Sequence, residues 1–99
     1  MIVVAAKVKV QPPKLELAMD LVRQLTEATN AEPGCISYRF YRDLLEPDVV
    51  FVFEEWEDQT ALDAHFDTDH MREFQRRLPL VLAGAPVTTC YEVSRYGPL

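Results

Sequence analysis

The strongest constraint on the fold is a run of five consecutive apolar residues, Val49-Val50-Phe51-Val52-Phe53, in the middle of a short chain. Their β-branched and aromatic side chains are typical of a strand, and the lack of alternation predicts that both faces of this strand are covered. A chain of 99 residues builds about one core, and a single layer of helices covers only one face of a sheet. We therefore expect a second copy of the chain to cover the other face.

Hydrophobic periodicity predicts six elements along the chain. Strands are predicted at residues 1–10, 35–43, 49–57 and 87–95, and helical segments at 14–32 and 58–82. This βαββαβ order is that of the ferredoxin-like α+β fold, a four-stranded antiparallel sheet with both helical segments on one face. We expect one domain over residues 1–99. In the first helix, the predicted core stripe contains Leu15, Ala18, Met19, Val22 and Leu25.

The second helical segment is predicted to break at Asp67-Thr68-Asp69. In a straight helix of about 100° per residue, the apolar side chains before this point and those after it would lie on opposite sides. Thr68 or Asp67 is able to cap the second piece by accepting a backbone N–H. The sequence therefore predicts two short helices in place of one rod.

The charge balance argues against two classes of partner. The 16 acidic and 10 basic side chains give a net charge of -6, which disfavours binding to nucleic acid or to anionic membrane surfaces. No apolar run approaches the ~20 residues that span a bilayer, and the first residues lack the pattern of a signal peptide. We expect a cytoplasmic protein in which Cys35 and Cys90, at opposite edges of the sheet, are free buried thiols.

The segment from Phe53 to Phe74 resembles the signature of the antibiotic biosynthesis monooxygenase family. It contains a Glu-x-Trp motif ending at Trp56, an Ala-Leu-x-x-His helix start ending at His65, and a second histidine, His70. Glu32-Pro33-Gly34-Cys35 and Tyr38 match the same family. The resemblance covers the whole chain in length and element order, and it implies a dimeric α+β barrel in which two sheets pack face to face.

The resemblance implies several activities, because members of this family differ in their chemistry. The preferred interpretation is a cofactor-independent monooxygenase that uses molecular oxygen on a quinol-like or polycyclic phenolic substrate. The haem-degrading branch carries Asn, Trp and His where this chain has Ala6 or Lys7, His65 and Gln75, so no haem is expected. The alternatives are an isomerase or other proton-transfer enzyme, and a small-molecule-binding dimer without catalysis.

His65 and His70 are the candidate catalytic residues. Triplet oxygen reacts slowly with closed-shell molecules, so the substrate must first lose a proton, and histidine is a suitable base near neutral pH. Their spacing of five places them about 140° apart on a continuous helix, unlike the i, i+4 pair of zinc helices. Since no third ligand lies nearby in sequence, no metal site is expected.

An aromatic substrate needs an apolar pocket with few polar groups. The candidate binding residues are Tyr38, Arg39, Trp56, Phe66 and Phe74. Two of them have a competing interpretation, because Trp56 could pack across the dimer contact and Arg39 could be a solvated arginine on an edge strand.

Glu54 and Glu55 are neighbours on a strand and point to opposite faces, so they cannot share a proton as a dyad. One of the two is expected to pair with a basic side chain and the other to be exposed.

Overall fold

The computed structural model describes residues 1–99, which form one sheet and one helical layer. The elements are β1 (Ile2–Lys9), α1 (Leu15–Asn30), β2 (Cys35–Arg42), β3 (Val49–Trp56), α2 (Gln59–Phe66), α3 (Asp69–Arg77) and β4 (Val87–Glu92). Short 3₁₀ turns precede α1 and follow α3 at Pro12–Lys14 and Leu78–Leu80. The strands form an antiparallel sheet in the order β2-β3-β1-β4. This architecture confirms the ferredoxin-like α+β fold.

The middle of strand β3 is buried on its core face and exposed at Phe51 and Phe53 on the other. Val50, Val52 and Trp56 are buried in the core beneath the helices. Phe51 and Phe53 point to the opposite face of the sheet, where they are 39% and 36% exposed. The apolar run therefore contributes side chains to the core and to the outer face of the sheet. That a second copy covers the outer face stays a prediction.

The break in the second helical segment is confirmed. Helix α2 ends at Phe66 and α3 begins at Asp69. Each piece has its own side-chain cap: the backbone N–H of Ala61 donates to Asp58 at 2.8 Å and that of Met71 to Thr68 at 3.3 Å. Because the two helices are capped separately, they present different faces to the core and carry His65 and His70 on different axes.

The predicted core stripe of α1 is rotated in the structure. The buried residues of this helix are Ala18, Leu21, Leu25 and Thr29. Met19 and Val22, which the periodicity placed in the middle of the stripe, remain half-buried because they border a cavity. The helical period located the helix correctly but could not account for a space left unfilled beside it.

Both cysteines are free and lie on opposite edge strands, as predicted. The expectation that both are buried is wrong for Cys90, because every residue of β4 is exposed. No helix in the structure has the length and apolar character needed to cross a membrane.

Candidate functional site

The most apolar space in the protein is a cavity of about 250 Å³ between the sheet and the helices. Of its 21 lining residues, 17 are apolar or aromatic, so the few polar groups define where a ligand can be oriented. The lining residues that are also exposed mark its mouth: Phe66, Gln75, Pro86 and Thr88. Glu54 and Tyr38 line the same cavity but are only 8% and 2% exposed, so they belong to its buried wall.

Glu54 is a buried carboxyl group on the core face of β3. Its Oε1 accepts a hydrogen bond from the indole N–H of Trp56 at 3.0 Å. Burial raises the pKa of Glu54 to about 7, and the negative charge of Glu32 adds to this effect, while the hydrogen bond from Trp56 opposes it. A carboxyl group that changes protonation near neutral pH beside an apolar cavity is suited to general acid–base chemistry.

Tyr38 stands next to Glu54, since the two residues are direct partners between β2 and β3. Its backbone is fixed by two hydrogen bonds with the side chain of Asn30. Burial raises the pKa of the Tyr38 hydroxyl far above its usual value, with further contributions from the charges of Glu54 and Glu32. The hydroxyl therefore stays protonated and can donate a hydrogen bond to a ligand oxygen.

A second polar cluster, the Glu32 trio, consists of Glu32, His65 and His70. The Oε2 atom of Glu32 lies 2.7 Å from Nδ1 of His65 and 2.6 Å from Nε2 of His70. An ionised carboxylate only accepts hydrogen bonds, so His65 donates through Nδ1 and His70 through Nε2. One oxygen atom thus joins the turn after α1 to the end of α2 and the start of α3.

Gly34 brings the trio together. It adopts a φ of 81°, and a Cβ atom at this position would lie 2.5 Å from the Cβ of Ala61. Only glycine combines this left-handed conformation with such a close approach. The turn after α1 can therefore touch the start of α2, which places Glu32 within hydrogen-bond distance of His65.

The trio also groups three side chains of the metal-ligating type within 4.8 Å. The expectation that no third ligand accompanies the histidines is therefore wrong, because Glu32 approaches them from 33 residues upstream. In the structure these side chains are joined by hydrogen bonds through the carboxylate oxygen of Glu32.

The family model described as antibiotic biosynthesis monooxygenase matches residues 1–77 of the chain. The chain belongs to the antibiotic biosynthesis monooxygenase family. It is 40% identical over 93 residues to the uncharacterized protein sll1783 of Synechocystis, a match that covers 94% of the chain and 63% of that relative. It is also 31% identical over 74 residues to YcnE of Bacillus subtilis, whose name proposes a monooxygenase; this match covers 75% of the chain and 78% of YcnE.

Solved structures of the antibiotic biosynthesis monooxygenase type have the same fold. A conserved protein from Methanosarcina mazei superposes with a TM-score of 0.88 and 37% identity, covering 91% of this chain and 89% of that one. A structure described as an antibiotic biosynthesis monooxygenase superposes with a TM-score of 0.89 and 26% identity, covering 96% and 100%. These matches show the family and the fold of the chain.

This member of the antibiotic biosynthesis monooxygenase family places the predicted site residues in two groups. Tyr38, Phe66 and Phe74 lie on the cavity wall. His65 and His70 do not line the cavity, because both rings are held at the Glu32 carboxylate. Their predicted role as the base therefore lacks direct access to a ligand in this space.

Trp56 and Arg39 also lie elsewhere than predicted. Trp56 is fully buried against the ring of His65, with ring centroids 4.9 Å apart; it does not line the cavity itself but donates a hydrogen bond to Glu54, which does. The interpretation that Trp56 packs across a dimer contact is therefore wrong, because this side chain lies in the core of its own chain. Arg39 pairs with Phe53 and lies on the outer face of the sheet, away from the cavity.

The two carboxylates of the site were missed for different reasons. Glu54 shares the inward face of β3 with Val50 and Val52, and this charged residue on an apolar face was a local signal. The expected ion pair is wrong, since neither Glu54 nor Glu55 pairs with a basic side chain. Glu32 carried no local signal, because its partners are 33 and 38 residues away.

Proposed function

We propose that this protein oxygenates a small quinol-like substrate with molecular oxygen and without a metal or organic cofactor, using Glu54 as the base. The observation that carries the proposal is a buried carboxyl group with a pKa of about 7 on the wall of an apolar cavity. A cavity of about 250 Å³ lies below the usual range of about 300–1,000 Å³ for ligand pockets. This size favours a substrate with one or two rings over a polycyclic one.

The first step is removal of a phenolic proton. Glu54 takes the proton, and the hydroxyl of Tyr38 donates a hydrogen bond to the oxyanion that forms. The two groups act on one substrate oxygen because they are direct neighbours across two strands. Deprotonation makes the ring electron-rich enough to react with oxygen.

The later steps balance without a further reductant. The electron-rich ring carbon forms a C–O bond with molecular oxygen, and the peroxide takes the proton back from Glu54. Loss of the ring C–H proton and cleavage of the O–O bond then release water. The sum is a hydroquinone and oxygen giving a hydroxyquinone and water, with both electrons for O–O cleavage supplied by the substrate.

Oxygen uptake with a panel of hydroquinones tests this proposal. Glu54→Gln keeps the size and the acceptor for Trp56 but cannot take a proton, so kcat/KM should fall by about 10²–10⁴. In the unaltered protein, kcat/KM should rise with pH up to about 7, because Glu54 must be ionised to act as the base. Glu55→Gln, on the other face of the same strand, is the matched control. Equal turnover without oxygen, or full activity of Glu54→Gln, would disprove the proposal.

A proton-transfer reaction such as an isomerisation is the second candidate. It is supported by the same carboxyl group, which can accept and return a proton without oxygen. Deuterium from solvent would then enter the product while no oxygen is consumed. If no candidate compound is turned over but several raise the melting temperature, the cavity serves binding alone.

We further propose that the partner of this chain is a second copy, docked on the outer face of the sheet. This face carries large side chains in the open, among them Tyr41, Phe51 and Phe53. Exposed apolar patches of this kind mark interaction surfaces. Light scattering at micromolar concentration should report a dimer that Phe51→Ser with Phe53→Ser converts to monomers; a monomeric parent protein would contradict the proposal.

A further inference from the structure

The Nε2 atom of His65 is an unpaired basic nitrogen in the interior. His65 is 1% exposed, and Nε2 has no hydrogen-bond partner. Since Nδ1 carries the hydrogen donated to Glu32, Nε2 of the neutral ring presents a lone pair. Buried polar atoms are nearly always paired, so this nitrogen is an open position for a proton.

The Glu32 trio connects this position to solvent. Its side chains are 1% exposed at His65, 9% at Glu32 and 29% at His70. His70 is therefore the member that exchanges protons with water, while His65 faces the interior. The Oε2 atom of Glu32 is the only group that both rings contact through hydrogen bonds.

The charges of the trio balance when it holds one extra proton. Glu32 forms no ion pair with lysine or arginine, so an imidazolium is the only compensating cation beside it. With both rings neutral, the nearly buried carboxylate is uncompensated. With both rings charged, two cations lie 6.1 Å apart around one oxygen atom. One imidazolium at a time is the balanced state.

The interior side of the trio adjoins the buried wall of the cavity. The ring of His65 lies 5.6 Å from that of Tyr38 and 4.9 Å from that of Trp56, measured between centroids. Tyr38 lines the cavity, and Trp56 donates to Glu54. The titratable groups that surround the relay from the other elements are Tyr38 and Cys35 on β2 and Glu54 on β3.

We propose that Glu32, His65 and His70 form a one-proton relay between the cavity and solvent. When Nε2 of His65 binds a proton from the interior, Nδ1 of His70 releases one to water, and when the interior takes its proton back, His70 recovers one from water, so the trio returns to its starting state. Glu32 remains a carboxylate, both hydrogen bonds persist, and only N–H bonds form and break. This inference rests on the proposed function for the source of the proton: the substrate releases a phenolic proton into the cavity and takes one back at the peroxide stage, and the relay exchanges that charge with solvent in between.

Histidine NMR of the ¹⁵N-labelled protein tests the relay without any substrate. The neutral form of His65 should carry its hydrogen on Nδ1, with Nε2 unprotonated. Each proton taken up should shift the signals of both rings, because they share one carboxylate. In Glu32→Gln, each ring should respond only to its own proton. A hydrogen on Nε2 of neutral His65, or independent titration of the two rings in the unaltered protein, would overturn the relay.

Turnover of a hydroquinone tests whether the reaction uses the relay. His70→Gln still donates an N–H to Glu32 but cannot carry an extra proton, so turnover in dilute buffer should fall about tenfold or more. A high concentration of imidazole buffer should restore it, because His70 is partly exposed. Arg72→Gln, exposed on the same helix and paired with Asp69, is the control that should change nothing.

The two experiments separate the relay from the proposed oxygenation. If His70→Gln turns over as fast as the unaltered protein at every buffer concentration, the relay in the reaction is disproved. If no hydroquinone is consumed by the unaltered protein, the oxygenation fails, and the NMR experiment decides on the relay by itself.

Discussion

The two buried carboxylates, Glu32 and Glu54, lie in regions of opposite character. Glu32 receives two hydrogen bonds from histidines in a filled, polar contact between helices. Glu54 receives one hydrogen bond, from Trp56, and otherwise faces an apolar cavity. The number of donors around each group decides what it can do: the first anchors two rings, whereas the second has capacity left for a ligand's proton.

The filled region should respond most strongly to the loss of packing. Trp56→Ala removes a fully buried side chain against His65 and should lower the free energy of unfolding by about 3–5 kcal/mol. Phe74→Ala only enlarges a space that already exists and should cost about half as much. Urea unfolding of both variants checks this; equal losses would mean that the two regions are equally well packed.

The open region should instead respond to pH. Glu54 ionises near 4.5 in the unfolded chain and near 7 in the folded protein, so between these values the folded state binds more protons. The free energy of unfolding therefore falls as pH rises through this window, by roughly 3 kcal/mol between about pH 4 and pH 8. Glu54→Gln should remove this contribution and become more stable relative to the unaltered protein at the higher pH. Parallel pH curves for the two proteins would contradict the raised pKa.

Substitution of Gly34 tests how the region around Glu32 is held together. Gly34→Ala forces a left-handed residue to carry a side chain and places its Cβ against Ala61, which should cost about 2 kcal/mol. The NMR signals of His65 and His70 should shift with it, since the turn carries Glu32. Gly84→Ala meets no atom within 4 Å and is the matched control. If Gly34→Ala left the free energy of unfolding unchanged, the close approach of Gly34 to Ala61 would not be needed.

Loss of either helix cap, at Asp58 or at Thr68, should have the smallest effect on stability, and the two losses should differ in what happens to His70. Thr68→Ala and Asp58→Ala each remove one cap and should cost about 1 kcal/mol in the free energy of unfolding. Only Thr68→Ala loosens the start of α3, next to His70, so only this variant should also shift the His70 signals. If both variants gave the same His70 signals, the position of His70 in the Glu32 trio would not depend on the Thr68 cap.

The fold was largely predictable because its signals are local. Alternation and the helical period located every strand and helix, and opposing apolar faces located the break before Asp69. The capping chemistry of Thr68, one of the two candidates named at the break, predicted the start of α3. Errors in the elements were confined to their ends, as in β4, which ends at Glu92, and to the stripe of α1, whose orientation depends on what lies across from it.

The site was less predictable because its groups meet through the tertiary fold. The sequence pointed to His65 and His70, but their contact with Glu32 requires the turn at Gly34 to close on α2. The cavity wall was predicted in part, through Tyr38, Phe66 and Phe74. Glu54 was more predictable than Glu32, since the alternation of side chains along β3 already placed it on the apolar face of that strand.

The sequence alone determined the order of elements, the broken helix and the resemblance to one family, because each depends on residues close together in the chain. The tertiary structure decided which carboxylate borders the cavity and which one binds the histidines. Burial and hydrogen-bond partners set the chemistry of a carboxyl group, and both are properties of the packed chain. Glu32 and Glu54 are the same residue type, and their surroundings alone make one an anchor and the other a candidate base.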